Sequence, residues 1–364
     1  MRTATFKNII RYFFVLANMM AAALLLAAAF SDRIAPDDML FPAYLGLTFP
    51  LLCLLNAGFI VYWICLRRWK YLAVGALSLL LCWGEVSSYF PFHVGKDMPD
   101  GNIIKVLTYN VMGFGYMSDG GDRSDEIISY IARSGADIVC LQEYFVSNQE
   151  GKLTAQRIEG ELSMYPYRSV VKPKNFGWGL AVYSKYPIRS SRRIEYESVD
   201  NGSSIHLIDI NNKTLTLINN HLESFKLTSK DKLRYLDFIH GARPAAFDSL
   251  RSTIQQKLGP AFIIRARQAR IIAREISESR ADYILVCGDF NDTPISYAHR
   301  TVKGDLLDAF AQSGRGLGIT YNLNYFWFRI DNILHSPNTK AYQCTVDHVN
   351  YSDHYPLWCY LQLN

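Results

Sequence analysis

The sequence predicts an α/β layered domain attached to a block of hydrophobic helices. Two contrasts carry that expectation. Residues 1–98 hold three long apolar runs, whereas residues 99–364 alternate short apolar runs with polar loops. Several of the short runs also end on a polar residue able to do chemistry, as expected where a sheet gathers a site from distant positions. The chain has 364 residues, enough for one large domain and a smaller unit, which we place at 99–364 and 1–98.

The smaller unit comes first. Met39 to Leu66 carries no charge, and Ile9 to Phe30 carries only Arg11. Each is long enough to cross a hydrocarbon core of about 30 Å. A third run, Tyr71 to Val94, is mostly apolar but contains Glu85 and His93, which makes it the weakest span. Ala-rich residues before Ser31 would suit cleavage of a signal peptide, yet two apolar runs would still follow as anchors. Arg2, Lys7 and Arg11 open the first span and Arg67, Arg68 and Lys70 separate the second from the third. The positive-inside rule then puts both clusters in the cytoplasm. With three crossings, in the cytoplasmic membrane, the larger domain faces the extracytoplasmic side; with two it stays inside.

In the larger domain, four runs stand out: Lys105–Asn110, Asp137–Glu143, Leu215–His221 and Tyr283–Asp289. Continuous apolar strands suggest burial on both faces. Amphipathic patterns over 123–134 and 261–279 predict helices between them, which gives the α/β alternation. Segment 224–264 mixes Lys226, Lys230, Lys232 and Arg234 with Leu236, Phe238 and Phe247. It reads as amphipathic helices on the domain edge or as a cover over a site mouth.

Charge narrows the partners. Of 38 Lys+Arg and 33 Asp+Glu, eight and five lie in 1–98, leaving 30 and 28 for the larger domain. A domain that grips nucleic acid along its backbone usually shows a strong basic excess, and this one does not. The seven cysteines form no CxxC pair and no zinc-ligand cluster. Cys344 and Cys359 could pair in an oxidising compartment, or stay buried and reduced like the others. No Gly-rich phosphate loop is evident.

Six short motifs follow one another: Tyr109-Asn110, Gln142-Glu143, Asn220-His221-Leu222, Gly288-Asp289-Phe290-Asn291, Arg329-Ile330-Asp331 and Ser352-Asp353-His354. In this order the set resembles the endonuclease/exonuclease/phosphatase superfamily, over about residues 101–364. The resemblance implies a four-layer α/β sandwich of two packed mixed β-sheets flanked by helices, preceded here by transmembrane helices. It also implies phosphoester hydrolysis at a Mg²⁺ site, with Mn²⁺ as a substitute.

The residues suit that chemistry. Hydrolysing a phosphoester needs charge neutralised on the non-bridging oxygens, an activated water and a protonated leaving group. A hard cation prefers carboxylate and amide oxygens. Glu143 is the expected main ligand, with Asn110 and Asp353 near the metal. Standing alone, Glu143 would more simply be a solvated charge at a strand end. His354 is the expected general base or phosphate-stabilising imidazolium, held by Asp331. Asp289 and Asn291, two apart, share a side of an extended chain. They can orient a water, and whether Asp289 or His354 is the base stays open. His221 would stabilise charge or protonate the leaving oxygen. Glu223 shares its strand face, but reads more simply as a solvated carboxylate. The aromatics Tyr321, Tyr325, Phe326, Trp327 and Phe328 would stack on a base or sugar, or belong to a sheet core.

The expected substrate is a phospholipid head group or small phosphoester, with the lipid bilayer as a second partner through the N-terminal helices. A DNase I-like nuclease acting on nucleic acid outside the cytoplasm is the alternative. A catalytically dead scaffold would have no need for this set of polar residues.

Overall fold

The computed structural model describes residues 2–94, 98–115, 121–147, 153–172, 178–198, 200–227, 252, 254–323 and 326–364. Most of segment 224–264, and Tyr325 among the aromatics, lie outside the described residues.

Five helices open the chain: α1 (Arg2–Ala29), α2 (Phe41–Leu47), α3 (Phe49–Cys65), α4 (Trp69–Leu81) and α5 (Trp83–Tyr89). Asn8–Arg33 is by itself long and apolar enough to cross a membrane. The other two expected spans are broken. Leu40–Leu47 and Phe49–Cys65 bend by 58°, and Trp69–Leu81 and Trp83–Tyr89 by 68°. The first break has a covalent cause. Pro50 lies in the first turn of α3, where its missing N–H is harmless, but its ring would clash with a helix continuing from Gly46. The second falls at Cys82, just before Trp83 and Gly84. Buried amides tie the first, third and fourth helices together. Asn56 Nδ2 donates to Ala21 O at 3.1 Å, Ser78 Oγ to Asn56 Oδ1 at 3.3 Å, and Asn18 Nδ2 to Tyr71 O at 2.9 Å. Such bonds are the usual glue where apolar packing alone cannot choose a partner.

From residue 103 onward the chain is the expected α/β sandwich. Its strands are β1 (Ile103–Asn110), β2 (Ile138–Tyr144), β3 (Tyr167–Val171), β4 (Gly179–Ser184), β5 (Ile188–Ile194), β6 (Gly202–Ile210) and β7 (Lys213–His221). There follow β8 (Tyr283–Asp289), β9 (Leu307–Asp308), β10 (Tyr321–Leu323), β11 (Phe326–Phe328), β12 (Asp331–His335), β13 (Thr339–Val346) and β14 (Leu357–Leu363). Between them lie α6 (Ser124–Arg133), α7 (Ala155–Glu161), α8 (Gly259–Glu278), α9 (Tyr297–Lys303) and α10 (Ala309–Ser313). One six-stranded sheet runs β13-β14-β1-β2-β4-β3, the other β5-β6-β7-β8-β12-β9, and β10-β11 form a hairpin. Each large sheet is mixed, with one parallel pair, β1/β2 or β7/β8, near its centre.

Strand alternation builds the layers. Val106, Ile138 and Cys140 point between the sheets onto Leu217, Leu285 and Cys287. Their neighbours Leu107, Val139 and Leu141 face outward onto Ile127 and Ile131 of α6. On the far side Ile218, Val286 and Leu334 meet Ala269 and Ile272 of α8 and Val302 of α9. A strand clothed on both faces must be apolar at every position, which is why these runs read as unbroken hydrophobic segments. Cys344 and Cys359 are free buried thiols, as are Cys140 and Cys287.

Polar contacts behind the site join the two sheets. Gln142 Nε2 donates to Asn219 Oδ1 at 2.7 Å, and Asn219 Nδ2 reaches back to Leu141 O at 3.1 Å. Gly288 (φ +123°) lies so close to β7 that an added Cβ would stand 2.1 Å from Asn220 O. Gly288→Ala is expected to destabilise the full chain by at least about 2 kcal/mol in urea denaturation, because neither the dihedral nor the space can accept a methyl.

Candidate active site

Strand register brings the first three groups into one row. His221 of β7 lies opposite Asp289 of β8, and Asp289 lies opposite Asp331 of β12. The second sheet supplies Asn110, paired in register with Gln142, and Glu143 one residue further along β2. Glu143 has φ +52° and interrupts the β2/β4 register, as a bulge does. Asn291 also has a positive φ, +50°. Non-glycine residues held in this region mark places where side-chain direction has outweighed backbone comfort.

The side chains converge closely. His354 Nδ1 and Asp331 Oδ2 are 2.8 Å apart, and His354 Nε2 lies 3.6 Å from Asp289 Oδ2. His221 Nε2 stands 3.6 Å from Glu143 Oε1 and 3.7 Å from Asp289 Oδ2. Asn110 Nδ2 donates to both carboxylates, to Glu143 Oε1 and Asp289 Oδ2, each at 3.2 Å. Its own oxygen accepts the Met112 N–H at 3.1 Å. Asn291 presents its backbone N–H to Asp289 Oδ1 at 2.7 Å and its amide nitrogen to Leu222 O at 2.9 Å. Asp353 lines the same cavity, and Ser352 Oγ donates to Asn110 O at 2.8 Å and stands 3.3 Å from Asp353 Oδ1. All eight residues singled out from sequence therefore meet in one place.

Sequence reasoning missed Thr320 and gave Tyr321 only as an aromatic for stacking on a substrate or for a sheet core, not as a support of His354. Tyr321 sets its ring edge-on to His354, centroids 5.0 Å apart, and pairs with it as an isolated bridge. Thr320 Oγ1 accepts the Ile330 and Asp331 N–H groups, both at 3.1 Å. Only proximity in space gives these two their place beside Asp331 and His354. Glu223 corrects the solvated reading. It is buried, accepts Ser198 Oγ at 2.6 Å and pairs with Lys226 at 3.0 Å. Trp327 is exposed.

Electrostatics follow from burial. Desolvation pushes Glu143 up to about 7, reinforced by Asp353. Desolvation also pushes Asp289 up to about 7, although the His354 charge opposes it. His221 is pushed down to about 3 by desolvation and stays neutral at physiological pH. Burial disfavours a charged His354 as well, but Asp331 and Asp289 outweigh it and hold the imidazole well above its ordinary range. Asp331 Oδ1 is buried with no partner among the described residues.

This donor set fits a hard cation. Two carboxylates forced toward neutrality, beside an orphaned carboxylate oxygen, mark a place short of positive charge. One oxygen each of Asp289 and Asp331 and one nitrogen of His354 lie within 4.8 Å of one another. His354 Nδ1 is already hydrogen-bonded to Asp331, so this trio reads better as a proton-handling group. The Glu143 side of Asp289 is the better seat for an ion.

Residues 107–354 match the model of the Endonuclease/Exonuclease/phosphatase family. The chain belongs to that family. Its members are typically phosphoester hydrolases. Residues 11–89 match a separate domain of unknown function. No curated protein matches the chain in sequence. Among solved structures, the endonuclease/exonuclease/phosphatase from Bacteroides vulgatus is 19% identical with a TM-score of 0.53, covering 72% of this chain and 100% of that one. D. rerio TDP2, humanized by 14 mutations, is 16% identical with a TM-score of 0.52, covering 71% and 99%. D. rerio TDP2 complexed with single strand DNA product is 16% identical with a TM-score of 0.51, covering 72% and 99%. These likenesses are of fold.

In metal-free protein, the folded state keeps the Glu143 proton up to about pH 7, whereas the unfolded chain loses it near pH 4. The group therefore costs stability increasingly as pH rises through that window. Glu143→Gln should melt at the same temperature as the native chain near pH 4 and above it at pH 8, and should lack the upward shift expected of the native chain when Mg²⁺ is added. Scanning fluorimetry at the two pH values checks both. Equal melting curves at pH 8 would mean that the carboxylate is not strained there.

Proposed function

We propose that the protein is a divalent-metal-dependent phosphoester hydrolase, held at a bilayer by its N-terminal helices, with 1–98 as membrane region and 99–364 as catalytic domain. The observation that carries this reading is the cluster of buried Asp289, His221, Asp331 and His354 with half-buried Glu143, of which all but Asp331 line one cavity of about 340 Å³. Glu143, Asp353 and, after rotation of its amide, Asn110 would hold Mg²⁺ or Mn²⁺. The bound ion would neutralise phosphoryl oxygens and lower the pKa of water.

The chain's own groups handle the rest. Asp331 fixes His354 as an imidazolium through Nδ1, which leaves the Nε2 proton facing the cavity to stabilise or protonate oxygen. Asp289, poised near neutrality and aligned by Asn291 N–H, accepts the proton of the attacking water. Neutral His221 donates from its ring to a phosphoryl oxygen. This divides the work between the two candidate bases, Asp289 taking the proton and His354 carrying the charge.

Three crossings would place the catalytic domain on the extracytoplasmic side, which requires each bent helix pair to act as one span. The exposed apolar side chains of α1 and α3, such as Phe13, Leu16, Leu51 and Leu54, support contact with lipid.

The test is hydrolysis by the full chain in detergent, with Mg²⁺ or EDTA, across bis-p-nitrophenyl phosphate, p-nitrophenyl phosphate, plasmid DNA and phospholipid micelles. His354→Ala and Asp289→Asn should each lower kcat by about 10²–10⁴-fold while the fold persists. Preference for plasmid DNA, with steep salt dependence, would favour the nuclease instead. A folded chain with no turnover on any substrate would sink the hydrolase reading.

A further inference from the structure

The catalytic cavity has two unlike kinds of lining. One carries the carboxylates and imidazoles described above. The other is formed by Leu47, Phe225, Leu227, Leu258, Phe328 and Ile330. Leu47 is the unexpected member. It belongs to α2, at the elbow with α3, and so comes from the hydrophobic helical unit outside the family-matched residues 107–354.

The elbow is seated firmly. Tyr44 packs edge-on to Phe262 of α8 at 5.5 Å. Gly46 lies so close to the sandwich that an added Cβ would stand 3.0 Å from Ile295 O. Arg270 of α8 clasps Asp37 in the preceding loop through both guanidinium nitrogens, at 3.1 and 2.5 Å. These contacts hold Leu47 over the cavity. Beyond the elbow, Leu51 is 67% exposed one turn along α3.

The charge on this wall argues against a polyanion. Lys226 is the one Lys or Arg among the described residues lining the cavity, and it pairs with Glu223 at 3.0 Å and Asp200 at 3.6 Å. A nucleic acid strand would meet apolar side chains where it needs cations. A phosphoester with a hydrocarbon portion would meet a wall of matching chemistry, because burying a chain against Leu and Phe removes apolar surface from water.

We propose that the substrate is an amphiphilic phosphoester, whose hydrocarbon portion lies along this wall with Leu47 as a specificity-determining residue. The inference rests on the phosphoester reading of the site. The N-terminal helices then complete the substrate cavity as well as anchoring the chain.

Binding of methyl, ethyl, butyl and hexyl phosphate tests it, using the full chain in detergent micelles with Mg²⁺, with titration calorimetry corrected for empty micelles. The expected Kd falls about fourfold per added methylene, the value for one buried CH₂. In Leu47→Asp the series should flatten while methyl phosphate binding moves less than twofold. Leu47→Ala should flatten it partly, which keeps the test open if the aspartate variant does not fold. Leu54→Asp, on exposed α3 surface, should keep the native slope. A flat native series, an unchanged slope in both Leu47 variants, or no binding of any alkyl phosphate would overturn the proposal. A steep series without hydrolysis of any ester would instead sink the hydrolase reading and leave the wall standing. Hydrolysis with a flat series would do the reverse.

Discussion

The amide of Asn110 is the contact on which the site depends. It stands at the end of β1, in one sheet, and its nitrogen donates to Glu143 of the same sheet and Asp289 of the other. Asp289 is fully buried and Glu143 half-buried, and both carboxylates are pushed toward the neutral form chiefly by lost hydration. Asn110 is held in that pose by the Met112 N–H on its oxygen. The facing edges of the two sheets thereby meet at one point, above the Gln142–Asn219 bond that joins them further down.

Around that point each group receives a different protonation from a different cause. His221 is buried, and desolvation together with the His354 charge outweighs the pull of Asp331, so it stays neutral. His354 is equally buried but hydrogen-bonded to Asp331, and holds its proton. Asp289 sits between the two, opposed by burial and favoured by His354. Three different protonation behaviours thus arise from two residue types by position alone, and pairs of groups pushed apart in this way are the usual mark of acid–base chemistry. The cost is carried by the scaffold, with positive φ at Glu143 and Asn291 and a glycine at 288 that no other residue can replace without strain.

The helical unit is joined to this scaffold rather than strung from it. Arg329, fully buried, donates to Ser88 O of α5 at 2.5 Å while lying 3.4 Å from Asp308. Phe92 bridges to Arg315, and Ile295 packs into the cluster of Leu25, Phe49 and Tyr89. An arginine in an Arg-Ile-Asp motif therefore does two jobs. It precedes the aspartate that orients His354, and it fastens the sandwich to the apolar helices.

The amino-acid sequence determined the layered α/β fold, the order of its motifs and the eight residues that the fold gathers at the candidate site. It could do so because each motif closes a strand whose apolar run is unmistakable, and strand ends meet at a common rim. It also marked three apolar runs, but not that two of them bend, although Pro50 carried the signal for the first. What only the tertiary structure decided depends on contacts between residues far apart in the chain. Nothing local announces that Thr320 holds the Asp331 strand, that Tyr321 flanks His354, or that Glu223 is buried against Lys226. Leu47 is the clearest case: in sequence it is one leucine in a hydrophobic run, and only the seating of its helix, with Tyr44 against Phe262 of α8, puts it in the lining of the candidate site's cavity.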